Sequence, residues 1–242
     1  MFLLLATRGV DAVLGNMDLT RYRNLTGDLR PYWKAGIVGN DVVIGVADTG
    51  IDMGHCSFVD DAYDPLRLQS LFTNRSLSVL MSTHRKVVQY TIPPYAQPDF
   101  FGDLSGHGTH VCGTIAGAKF SSATGDFLNS VDTGAAPAAK ISFMDTAKNG
   151  NQLYIPSIDY LLQTHYNVGA RLSSDSWGTD GASSVVYDYI SQAFDLFAWR
   201  NPGFLSMIAA GNAVQIAHTL LVVATVKYKQ LTKCKENISM EN

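Results

Sequence analysis

Apolar residues along this chain fall into short unbroken runs that alternate with stretches of helical spacing. Asp41-Val42-Val43-Ile44-Gly45-Val46-Ala47, Lys140-Ile141-Ser142-Phe143-Met144 and Phe204-Leu205-Ser206-Met207-Ile208-Ala209 are runs of strand length, rich in β-branched and large apolar residues. That is the pattern of strands buried on both faces. His84–Tyr90 reads as a further strand, and the apolar run after His218, including Leu221–Val226, as another buried one. Between them, Ile158, Leu161, Leu162 and Tyr166 recur at helical spacing. So do Val186, Ile190, Ala193, Phe194 and Phe197, in a helix expected to stop before Asn201-Pro202-Gly203. A third helix is expected to start at His107, where glycines flank the imidazole and small or β-branched residues follow to Gly117. The alternation predicts an α/β fold, a doubly wound parallel sheet with helices on both faces. Residues 1–35 show no period, although Tyr32 and Trp33 suit packing onto a domain. Residues 57–104 read as mostly irregular, broken by Pro93, Pro94 and Pro98. A loop that long inside a domain is usually functional or an insertion.

Composition narrows the function classes. With 242 residues, 46% hydrophobic and 16% charged, the chain is long enough for one sizeable core and too apolar for disorder. A net charge of −3 gives no general attraction to nucleic acid. No run reaches the ~20 apolar residues of a membrane helix. The start, Met1-Phe2-Leu3-Leu4-Leu5-Ala6, is too short an apolar run for a signal peptide and has no basic residues ahead of it. Four of the 18 Lys and Arg fall within residues 227–242, a polar tail distinct from what precedes it.

The chemistry lies at the ends of these elements. His107 opens its helix between two glycines, a placement suited to acid–base work because imidazole titrates near neutral pH. A histidine merely held in a packed turn is the bland alternative. Zinc bound by His107, His110 and Cys112 with His55-Cys56 lacks a regular ligand spacing, so no metal site is expected. Asp48 ends the first buried strand, where α/β folds place their sites. An aspartic-protease reading of Asp48-Thr49-Gly50 would need a second such motif, and none occurs; a nucleotide site would need a Gly-rich turn running straight into a helix. Asp48, His107, Ser176-Trp177-Gly178 and Asn212 follow in order at strand or helix ends. Acyl transfer needs such a set: a carboxylate to orient the imidazole, an amide to bind the oxyanion, and an extended edge to pair with a peptide.

Here the sequence resembles the subtilisin-like serine proteases, the subtilases. The resemblance rests on Asp48-Thr49-Gly50-Ile51-Asp52, on Gly106-His107-Gly108-Thr109-His110-Val111-Cys112-Gly113-Thr114-Ile115-Ala116-Gly117, on Gly134-Ala135-Ala136-Pro137, on Ser176-Trp177-Gly178 and on Ala209-Ala210-Gly211-Asn212. It implies Asp48 as orienter, His107 as base, Asn212 as oxyanion donor, and Ser176, Trp177 and Gly178 as substrate contacts, in peptide-bond hydrolysis through an acyl-enzyme. His55-Cys56, His84-Arg85-Lys86 and Val111-Cys112-Gly113 look like a large-insert branch of the family.

The resemblance runs over roughly residues 36–212. Subtilases carry their nucleophile in a Gly-Thr-Ser-Met-Ala type of segment. After Asn212 this sequence has one serine, Ser239, and no glycine. The expectation is therefore a peptidase domain over residues 36–226, between an N-terminal extension (1–35) and the tail (227–242). It carries the Asp and His but not the Ser, and it is inactive as it stands. A pseudoprotease or peptide-binding fragment is the alternative. The partner implied is a polypeptide, and the implied location is secreted or lumenal. The resemblance admits calcium, for which the loop from Asp126 to Asp132 offers carboxylates without a compelling spacing. Cys56 and Cys112 follow the Asp48 and His107 motifs at similar short offsets, so a disulfide between them and two free thiols both stand open.

Overall fold

The computed structural model describes residues 31–64, 78–97, 102–119, 133–148, 152–178 and 187–209. A short helix α1 (Pro31–Lys34) leads to strand β1 (Val43–Asp48). Strands β2 (Ser78–Leu80) and β3 (Val87–Thr91), helix α2 (His107–Ala116) and strand β4 (Lys140–Asp145) follow. After a small hairpin of β5 (Ala147–Lys148) and β6 (Gln152–Leu153) come helix α3 (Ile158–Asn167), strand β7 (Leu172–Asp175), helix α4 (Tyr189–Arg200) and strand β8 (Leu205–Ile208). The large sheet has the order β2-β3-β4-β1-β7-β8. All its pairings are parallel except β2 with β3.

Alternation along β1 sends Ile44 and Val46 to one face, with Phe143 of β4 and with Cys112, Ile115 and Ala116 of α2. Ala47 faces the other way, with Met144 and with Leu161, Leu162, Phe194 and Phe197 of α3 and α4. Both faces are thus covered by helices, which is the predicted doubly wound arrangement. The chain crosses from one side of β1 to the other between β4 and β7, so the C-terminal end of β1 lies at a topological switch point.

Helix α4 starts where Asp188 accepts hydrogen bonds from the Ile190 and Ser191 backbone N–H groups, both at 3.0 Å, and ends before Asn201 as the Asn-Pro-Gly signal predicts. Trp33 fastens α1 to the domain by donating from Nε1 to the Ala135 carbonyl at 3.0 Å.

Two expectations need correction. The strand expected from His84 starts at Val87, because the His84 ring turns back and its Nδ1 accepts from the backbone N–H of Lys86 and of Val87, each at 3.0 Å. The described part of 57–104 is mostly irregular, as expected, and adds the short strand β2 beside β3. Strand β8 is not buried on both faces: Leu205 and Ile208 are 59% and 47% exposed, since β8 is an edge among the described residues. The expected strand over Leu221–Val226, the tail 227–242 and most of the extension 1–35 lie outside the described residues.

His84-Arg85-Lys86, which in sequence looks like a feature of a large-insert branch, turns inward. The Arg85 guanidinium donates to the carbonyls of Cys56, Val59 and Ala118, and Lys86 Nζ donates to those of Pro137 and Ala139, each at 2.7 Å. These residues bind loops whose carbonyls would otherwise lack partners.

Candidate active site

Asp48 ends β1 with its side chain fully buried, on the face that carries α2. Its Oδ1 accepts from the Thr49 backbone N–H at 2.7 Å and bonds to Nδ1 of His107, also at 2.7 Å. A carboxylate can only accept, so Nδ1 carries the proton and the neutral ring keeps its lone pair on Nε2. The His107 side chain is 47% exposed, so the ring is anchored at one nitrogen and open to solvent. The hydrogen bond to Asp48 is the main reason that His107 holds its proton more tightly than a free histidine. Desolvation works against it, and the charges of Asp48 and Asp103 add to it.

The ring reaches Asp48 because α2 starts hard against the turn after β1. A Cβ at Gly108 would overlap the Gly50 carbonyl oxygen, so only glycine permits this approach. Hydroxyls stitch the two pieces together. Thr49 Oγ1 accepts from the Gly108 N–H at 3.0 Å, and Thr109 Oγ1 accepts from the Asp52 N–H at 2.9 Å. Asp103, which the sequence reading did not single out, joins this seam. Its Oδ1 accepts from Thr49 Oγ1 at 3.0 Å and from the Gly106 N–H at 2.8 Å, and its Oδ2 accepts from the Thr109 N–H at 2.7 Å. An aspartate three residues before a glycine that opens a helix is the signal that would have found it.

Ser176, Trp177 and Gly178 follow β7 at the same end of the sheet. Val46 pairs with Ser174, and two residues further along each strand stand Asp48 and Ser176. Trp177 packs beside Phe194 of α4, with ring centroids 6.2 Å apart. Just ahead of this segment lies Asp175, buried, with its Oδ2 accepting from Ser173 Oγ at 2.8 Å. Burial pushes its carboxyl up to about 7, and the Asp48 charge adds to the rise. Strand β8 runs alongside, and the Ala209 N–H donates to the Asp175 carbonyl at 3.0 Å. Asn212 lies outside the described residues.

The structure decides the cysteine question. Cys112 is a free thiol buried beneath α2, pushed well above its ordinary pKa by burial. Cys56 is disulfide-bonded. No bridge joins Cys56 to Cys112, because Cys112 points into the core with Ile115 and Ala116. Among the described residues no group of three or more His, Cys, Asp or Glu could hold a metal ion, and the loop from Asp126 to Asp132 lies outside them. Nor is any helix among them long and apolar enough to cross a membrane.

Comparison with known proteins bears on the family and the fold. Residues 39–235 match the sequence profile of the Subtilase family. The chain is 37% identical over 194 residues to the serine protease/ABC transporter B family protein tagD of Dictyostelium discoideum, a match covering 78% of this chain and 10% of that protein. It is 35% identical over 187 residues to tagA of the same organism, covering 76% and 9%. The chain thus spans about a tenth of the length of these curated relatives. The crystal structure of fervidolysin from Fervidobacterium pennivorans, a keratinolytic enzyme related to subtilisin, superimposes with a TM-score of 0.50 at 23% identity over 80% of this chain and 24% of that one. It has the same fold.

Proposed function

The chain belongs to the subtilase family, and from that premise we propose that it carries the base half of a serine endopeptidase site. Asp48 holds the imidazole of His107 in the Nδ1–H tautomer. Nε2 then takes the proton of the attacking serine hydroxyl and later returns it to the leaving amine, while Asp48 stabilises the imidazolium between the two steps. Asn212 donates its amide to the oxyanion of the tetrahedral intermediate. The backbone of Ser176, Trp177 and Gly178 pairs with a polypeptide substrate in strand form. The observation that carries this reading is the 2.7 Å bond from a fully buried aspartate to a histidine whose ring is half open to solvent.

We place the protein in a secreted or lumenal setting. The family resemblance implies it, and the disulfide at Cys56 supports an oxidising compartment. The 242 residues hold no Gly-Thr-Ser after Asn212.

A chimera tests the reading by supplying a serine segment. Residues 1–212 are joined to the part of fervidolysin that follows its corresponding asparagine, and hydrolysis of a peptide ester is measured. In subtilisin, a member of this family, loss of the histidine costs about 10⁶ in rate and loss of the aspartate about 10⁴. The chimera is expected to hydrolyse the ester, with His107→Ala and Asp48→Asn losing activity on those scales. A folded chimera whose rate is the same with and without His107 contradicts the proposal.

A further inference from the structure

Asp103 hydrogen-bonds to neither Asp48 nor the ring of His107, yet its carboxylate joins the two pieces of chain that carry them. It takes the Thr49 hydroxyl from the turn after β1, and the backbone N–H groups of Gly106 and Thr109 from the start of α2. The first N–H groups of a helix have no partner within it, and the N-cap residue here, Gly106, has no side chain to serve them. Asp103 takes the Thr109 N–H and Thr49 takes that of Gly108. The cap of α2 is therefore supplied from outside the helix, half of it by the residue next to Asp48. Any play at this junction changes the distance between Asp48 and His107 directly, and misplacing a reacting group by about 1 Å can cost about 10²-fold in rate.

We propose that Asp103 is a positioning residue for the His107 base, bolting the first turn of α2 to the end of β1. The inference rests on the reading of Asp48 and His107 as orienter and base. Geometry sets the ring's place, and charge acts in the same direction. Asp103 and Asp48 are the carboxylates whose charges support the imidazolium. His110, one turn along α2, is the other titratable group that senses His107, and its own basicity is lowered by burial and then by the His107 charge. Asp175, at the end of β7, feels the Asp48 charge.

The test is a histidine-labelled NMR titration of the full chain, with the His107 signals assigned by their loss in His107→Gln. Two readouts are followed: the titration midpoint of His107 and the exchange of its Nδ1 proton with water. In Asp103→Asn, the charge and one of the two acceptor oxygens are gone while the shape is kept. The midpoint is expected to move to lower pH and the Nδ1 proton to exchange faster. Asp48→Asn, run beside it, must lower the midpoint further and remove the protected proton. If Asp48→Asn leaves His107 unchanged, the orienter–base reading itself falls. If Asp48→Asn has its effect and Asp103→Asn has none on either readout, the role of Asp103 is overturned alone. Should Asp103→Asn fail to fold, Thr49→Val cuts one strut and keeps the charge. It must then speed Nδ1 exchange with the midpoint little moved, and Thr49→Ser must restore protection; unchanged exchange in Thr49→Val overturns the proposal.

Discussion

His107 binds its proton more tightly than a free histidine because Asp48 accepts its Nδ1–H, whereas two other histidines of this domain are held neutral. His165 of α3 lies fully buried, its ring against Gly45 of β1 and Ser142 of β4. Ser142 gives its own proton to Gln89, so its oxygen accepts from Nδ1 of His165, and His165 Nε2 has no partner among the described residues. Burial lowers its pKa to about 3, and burial lowers that of His84 to about 4. For both, the folded value lies below that of the unfolded chain. The unfolded chain therefore takes up protons first, and stability falls as pH drops from about 6.5 toward 4. Asp175 works the other way. With its folded carboxyl raised to about 7, the folded chain binds the extra proton in that same window. Among these three groups, two protons against one leave a net slope of at most about 1.4 kcal/mol per pH unit, stability rising with pH, and His110, whose basicity burial also lowers, acts in the same direction. The contribution of His107, whose folded value is raised, is complete below the unfolded value and is lost as pH rises through the folded one. Urea midpoints should therefore climb from pH 4 to 6.5. His84→Asn, which keeps an acceptor for the Lys86 and Val87 N–H groups, should flatten that climb; an unchanged profile would count against this assignment.

At the scale of elements, close approach decides what the sequence pattern could reveal. Strands β1 and β4 were legible because both faces of each are apolar and the runs are unbroken. Helices α3 and α4 were legible from their spacing, and α2 from the glycine-flanked His107. The contact between Asp48 and His107 was expected from motif order, and the bond is there at 2.7 Å. What the pattern hid were features that depend on the third dimension. Asp103 looks like one more polar loop residue until the fold brings Thr49 beside it. Cys56 and Cys112 share similar offsets from their motifs, yet offset along the chain says nothing about which way a side chain points. The His84 turn is written in one ring nitrogen and two N–H groups, which periodicity does not register. Gly45 shows the same dependence on packing: within a strand it reads as a weak point, but the ring of His165 lies across it. A Cβ there would meet the His165 ring carbon Cγ at 2.6 Å. Gly45→Ala should therefore cost about 1–3 kcal/mol, the usual range for overpacking, read as a lower urea midpoint with an unchanged slope. A fully stable Gly45→Ala would mean that His165 does not lie against β1.

Across the whole molecule, the sheet brings the C-terminal ends of β1, β7 and β8 to one end, with helices packed on both faces, so that residues spread over the chain meet where the order of strands reverses. The substrate of this arrangement is proposed only as polypeptide, so its central claim is best tested by chemistry that needs no knowledge of side-chain preference. A fluorophosphonate reacts with a serine only when a base activates it. The measurement is its labelling rate on the 242-residue chain and on the chimera with fervidolysin. The chain alone should remain unlabelled, and the chimera should label at one serine, at a rate that His107→Ala lowers by at least about 10⁴. Stoichiometric labelling of any serine in the folded 242-residue chain, or labelling of the chimera that ignores His107, would contradict the account.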